Sequence, residues 1–123
     1  MARTATITLN EVTYTLVFTV RVMADVEDEF NTTYQAFMEQ VIDRTRMQVA
    51  LLSALMRAGY KYDKDQGLEP PQPLSEDEIM DGTIWSDKNV IFDAIMAAMK
   101  AGNQRKVEAR PKSKKANGAT QAE

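Results

Sequence analysis

The residues with the most evident chemical capacity are acids, and Asp25, Glu27, Asp28 and Glu29 stand within five positions of one another. Carboxylate oxygens at that density suit calcium or magnesium, but the segment lacks the glycine-centred spacing of a calcium-binding loop. Hydrolysis by paired carboxylates needs two acids flanking a cleft at about 5 to 9 Å, and abundance of acid does not supply the cleft. The chain contains no His and no Cys. That removes disulfides, thiol nucleophiles, zinc sites built on imidazole or thiolate, and the Ser-His-Asp and Cys-His arrangements. The sequence also carries no glycine-rich phosphate loop, dinucleotide fingerprint or helix-turn-helix signature. The expectation is therefore a protein that is not an enzyme and holds no cofactor or metal. Its four clustered acids are read as a solvated helix face, available as an acidic rim to a basic partner.

A second charged group lies at the other end: Lys106, Arg110, Lys112, Lys114 and Lys115. Residues 102–123 hold six basic and two acidic side chains, a balance of +4, whereas residues 1–101 hold nine basic and sixteen acidic, a balance of −7. With almost no large apolar side chains, residues 102–123 bury too little to offset the entropy of ordering them, so a disordered basic tail is expected beyond a compact domain over residues 1–101. Such a tail stays solvated or binds an acidic patch. Nonspecific phosphate attraction is the alternative, although no Phe, Tyr or Trp accompanies the basic residues to stack on bases.

The 123 residues suffice for one hydrophobic core, and 44% hydrophobic residues with only 5 Gly and 4 Pro exclude collagen-like and wholly disordered classes. No apolar run approaches the roughly 18 residues of a membrane span, and the start lacks a signal-peptide core. A soluble intracellular protein is the expectation.

The elements that must position these groups follow from periodicity. Ile7 and Leu9, then Tyr14, Leu16 and Phe18, alternate with Thr6, Thr8, Thr13 and Thr15, which predicts a half-buried hairpin. Asn10 and Glu11 occupy its turn. Because Glu11 suits a left-handed position poorly, a longer or bulged connection is expected over a tight type I′ turn. Thr19 caps a helix over Val20 to about Phe30, with Val22, Met23, Val26 and Phe30 inward and the acids outward. Thr32 and Gln35 form a capping box for a helix whose Tyr34, Phe37, Met38, Val41 and Ile42 share a face, followed by a bend at Asp43–Arg46. Met47, Leu51, Leu52, Leu55 and Met56 form the next stripe, with Gly59 as its stop and a surface connector over Tyr60–Pro73.

Ser75 and Glu78 form a further capping box, with Leu74 and Ile79 as a hydrophobic staple, and Gly82 ends that helix. A last helix, capped by Ser86 or Asp87, runs from about Lys88 with Ile91, Phe92, Ile95, Met96 and Met99 on one face and stops at Lys100–Gly102. Trp85 is expected as a structural anchor in the junction between these two helices, with an aromatic-ligand contact as the sharper reading. The eight methionines fit core packing or a repackable groove. The fold class is α+β and mostly helical: an N-terminal hairpin followed by about five α-helices.

Ile7-Thr8-Leu9-Asn10 followed by Tyr14-Thr15-Leu16-Val17-Phe18, then the acidic Ala24-Asp25-Val26-Glu27-Asp28-Glu29-Phe30, resembles the tail assembly chaperones of long-tailed, siphovirus-like bacteriophages. The likeness spans about residues 5–101. Leu51-Leu52-Ser53-Ala54-Leu55-Met56-Arg57-Ala58-Gly59 is similar to their central helix and Leu74 to Met99 to their paired C-terminal helices. Many relatives have Asn-Gly where this chain has Asn10-Glu11.

The resemblance implies a noncatalytic holder of the tape-measure protein and of tail-tube subunits, acting in the host cytoplasm and leaving the finished particle. It also implies a frameshift-extended companion form. A structural tail or head-tail connection component is the runner-up, and a small nucleic-acid-binding or regulatory adaptor using the basic tail is the third reading. A holder needs reversible apolar contact. Phe37, Val41, Leu52, Leu55, Ile91 and Ile95 are the candidates for core or partner contact, and a homo-oligomer is expected because the apolar helix faces outnumber what one hairpin covers.

Overall fold

The computed structural model describes residues 4–103. Strands β1 (Thr4–Leu9) and β2 (Val12–Val17) form an antiparallel hairpin, and α1 (Val20–Phe30), α2 (Tyr34–Gln40), α3 (Thr45–Asp65), α4 (Glu76–Gly82) and α5 (Lys88–Asn103) follow it. The chain is thus α+β and predominantly helical. The register pairs Ile7 with Tyr14 and Ala5 with Leu16, so the alternating apolar side chains share the core-facing side. On the opposite side Thr8 Oγ1 and Thr13 Oγ1 pair across the strands at 2.8 Å.

The connection is tighter than expected. Leu9 pairs directly with Val12, leaving a two-residue loop in which Asn10 (φ 51°) and Glu11 (φ 70°) are both left-handed. This is type I′ geometry, whose twist matches that of the strands, and the register that buries Ile7, Leu9, Tyr14 and Leu16 imposes it on a residue that disfavours it. Asn10 contributes by donating from Nδ2 to the carbonyl of Gly82 at 3.0 Å, which ties the hairpin tip to the end of α4.

α3 is the centre of the domain. Every residue from Met47 to Met56 is buried, because β2, α1, α4 and α5 all pack against this helix. It runs through Gly59 to Asp65. The stop is instead Gly67 at φ 84°, where Gly67 N–H donates to Lys64 O and Leu68 N–H to Asp63 O, a Schellman closure. Gly59 serves a different need: a Cβ built there falls 1.8 Å from Thr15 O. In a two-residue hairpin the Thr6–Thr15 pair turns its backbone polar groups outward, so α3 lies against the free edge of β2 with bare backbone at the contact.

Two other boundaries shift. α2 is capped by Thr33, whose Oγ1 accepts from Ala36 N–H at 3.1 Å, rather than by a Thr32–Gln35 box. Between α2 and α3 the chain breaks rather than bends: Val41–Asp43 forms a 3₁₀ turn and Arg44 is extended (φ −124°, ψ 106°). The break rotates Ile42 to solvent, at 61% exposed. Gln48, buried in α3, donates from Nε2 to Val41 O and Ile42 O, both at 3.0 Å, and so covers Ile42 O and adds a second donor to Val41 O, which also accepts Arg44 N–H at 3.3 Å. The expected caps at Thr19 and Ser75 form, the latter as a full capping box with Ser75 N–H on Glu78 Oε1 at 2.8 Å. Gly102 lies inside α5, where a Cβ would stand 2.9 Å from Phe18 Cβ.

Candidate protein-binding surface

Phe37, Val41, Leu52, Leu55, Ile91 and Ile95 are all core residues. All six belong to the one buried apolar cluster that also takes in Ile7, Leu9, Tyr14 and Leu16 of the hairpin, and none faces solvent. Met96, expected on the inner face of α5, points outward. An exposed apolar surface must therefore be assembled from other residues.

The four acids of α1 do not form one open patch. Asp25 pairs with Arg57 of α3 (Oδ2 to Nη2, 3.6 Å). Glu27 Oε2 accepts the backbone N–H of Tyr34 at 2.7 Å, which covers a free amide at the start of α2. Glu29 faces Glu76 of α4; partial burial, with the Glu76 hydrogen bond and charge, raises its carboxyl to about 7 against the opposing pull of Arg57 and Arg46. Asp28 is exposed.

The Asp25–Arg57 pair continues inward. Arg57 Nη1 donates to Ser53 Oγ at 3.0 Å, and Ser53 Oγ donates to Leu74 O at 2.8 Å. A polar chain thus joins α1, α3 and the segment leading into α4. Burial also raises the phenols of Tyr34 and Tyr14, the latter with help from the charge of Glu78.

Trp85 does not anchor the junction between α4 and α5. It is 82% exposed and its neighbour Ile84 is 71% exposed. Thr83 and Ile84 are both extended (ψ 159° and 173°), so the chain leaves α4 in a stretched path before the 3₁₀ turn Trp85–Asp87. Asp87 Oδ2 accepts Ile84 N–H at 3.0 Å and fixes that turn, while neither Ser86 nor Asp87 serves as the N-cap expected for α5. Ile79 of α4, by contrast, is fully buried in the core. Lys88 Nζ sits 4.9 Å from the Trp85 ring centroid, so the indole already carries one cation.

Acidic residues flank this apolar pair along the chain: Asp77, Glu78 and Asp81 precede it and Asp87 follows. The Asn10–Gly82 hydrogen bond brings Glu11 and the part-exposed Val12 to the same end of the domain. Periodicity alone could not find the pair, because Ile84 and Trp85 belong to no helix stripe. The signal available was their position between a terminating Gly82 and the next helix, where neither has a buried face assigned to it.

Val20, Ile42 and Leu68 are further exposed apolar residues on separate elements. Among the described residues no group of three or more Asp and Glu side chains is arranged to hold a metal ion, and no helix is long and apolar enough to cross a membrane. Lys106, Arg110, Lys112, Lys114 and Lys115 lie outside the described residues, whereas Gly102 and Asn103 of the expected tail belong to α5. Comparison with protein-family models, with curated proteins and with solved structures returns no match.

Proposed function

We propose that this chain is a noncatalytic holder of other polypeptides, of the phage tail assembly chaperone kind, keeping the tape-measure protein or tail-tube subunits from premature assembly in the host cytoplasm. The observation that carries the reading is the order of elements. A hairpin over residues 4–17, an acidic helix, a central helix containing Leu51–Gly59 and two closing helices within Leu74–Asn103 follow one another in the sequence the resemblance implies.

The exposed Ile84 and Trp85 give such a holder apolar contact outside its own core, and the acids that flank them in the chain favour basic partners and fast, reversible encounter. Self-association through the same kind of apolar contact belongs to this proposal. The test is coexpression of the full chain with intact tape-measure and tube polypeptides, followed by co-purification and mass analysis of completed tails. Capture of either partner, with no copies left in mature particles, is the expected result. Failure to capture both refutes the holder, and stoichiometric retention in particles replaces it with a structural component.

A further inference from the structure

From the charge and placement of the Ile84–Trp85 surface, we infer that it is a docking site for the chain's own basic segment, residues 104–123. Two observations independent of the proposed function support this. The first is complementarity. Asp77, Glu78 and Asp81 of α4 precede the exposed indole in the chain and Asp87 follows it, the Asn10–Gly82 hydrogen bond brings Glu11 to the same end of the domain, and the only cation among the described residues placed on the ring is Lys88. Residues 104–123 supply six basic and two acidic side chains.

The second is reach. α5 starts three residues after Trp85 and its 16 residues span about 24 Å, so the chain leaves Asn103 about that far from the surface. At about 3.4 Å per extended residue, Lys106 reaches only about 10 Å beyond Asn103, Arg110 about 24 Å, and Lys112, Lys114 and Lys115 about 31 to 41 Å. The four distal basic residues can therefore return along α5 to the indole, and Lys106 cannot. Tethering gives such a contact a high effective concentration, so weak cation–π and charge contacts suffice to populate it. A partner that uses the same surface must displace the segment.

Trp85 is the chain's single tryptophan, so its emission reads this surface alone. The test compares acrylamide quenching of the full chain with that of the full-length variant R110E/K112E/K114E/K115E, in low salt and in about 1 M salt, where charges are screened within about 3 Å. In low salt the natural chain should be quenched roughly twofold less and emit further to the blue than the variant, because a docked segment covers the ring. High salt should abolish the difference.

K106E should behave as the natural chain. A second variant, D77K/D81K, should lose the protection from the other side, with circular dichroism showing that α4 is retained. Equal quenching of the natural chain and the four-site variant in low salt overturns the proposal, as does equal loss of protection in K106E. Protection that disappears on about hundredfold dilution assigns the site to a second copy and overturns the intrachain contact.

Discussion

Replacing Gly59 by Ala should destabilise the domain even though the same change in an ordinary helix interior stabilises it by about 0.5 to 1 kcal/mol. The reason is the 1.8 Å between an added Cβ and Thr15 O, with Thr15 C at 2.4 Å and Leu16 N at 3.0 Å. These are backbone atoms of a paired strand and cannot rotate away. Restoring even a 3.0 Å contact requires α3 and β2 to part by about 1.2 Å. A gap of 0.5 to 1 Å already forfeits a quarter to a half of each dispersion contact across an interface, and α3 and β2 share one of the domain's most extensive interfaces. Overpacking of this kind costs about 1 to 3 kcal/mol or more, and its backbone nature places it at the upper end, about 3 kcal/mol net of the helix gain. For a domain of this size that corresponds to a fall in Tm of about 12 to 24 °C.

Thermal unfolding followed by far-ultraviolet circular dichroism measures it. Gly82→Ala is the control, because its nearest neighbour is Asn10 Nδ2 at 3.7 Å, and it should shift Tm little. An unchanged or raised Tm for Gly59→Ala would mean that α3 does not lie on the edge of β2, and the packing described for the centre of the domain would be wrong.

Gln48→Met should cost about 1 to 2 kcal/mol in urea unfolding, because it takes the Gln48 donor from Ile42 O and leaves Val41 O with only the Arg44 N–H; a loss below 0.5 kcal/mol, about the noise of a surface change, would contradict that role. Ser53→Ala should cost about 1 to 2 kcal/mol and speed limited proteolysis of residues 66–75, since it releases Leu74 O and one contact of Arg57. Glu29 provides a pH test. Its folded carboxyl, raised to about 7 from an ordinary 4.5, binds a proton that the unfolded chain gives up sooner. Its contribution is therefore full below about 4.5 and is lost as pH rises towards 7, so stability should decline across that window and Glu29→Gln should flatten the decline. Identical pH profiles for the two proteins would refute the Glu29–Glu76 coupling.

Much of the fold is legible in the sequence because local chemistry decides it. Alternating threonines and aliphatics specify the hairpin, and Thr19 and Ser75 with Glu78 mark helix starts by hydrogen bonds made within a few residues. What escapes is set by distant partners. Gly59 carries the same local signature whether it ends a helix or lets one touch a strand, and only Thr15, 44 positions away, decides between them. Glu11 looks unsuited to a tight turn until the register of four buried strand residues fixes it there. The break at Arg44 is stabilised by Gln48, whose polarity conceals a buried position.

The candidate contact residues illustrate a further limit. Periodicity identified Phe37, Val41, Leu52, Leu55, Ile91 and Ile95 as facing an apolar environment, but the chain itself supplies that environment. Trp85 misleads in the opposite sense: its size argues for burial, and the extended Thr83–Ile84 path carries it outward. Two of the most exposed large apolar side chains among the described residues thus lie in a connector that no periodic pattern covers.

β1 packs against α5, so the first strand and the last helix of the domain complete one another. During synthesis, a ribosome that has not yet decoded Lys88–Asn103 holds a chain in which Ile7 and Leu9 still lack their final cover. The core is sealed only when α5 arrives, and until then Ile7 and Leu9 stay open to capture by holdases. A stall before Lys88 would release a product with an open side, whereas any change of reading frame after Asn103 would leave the closure already encoded.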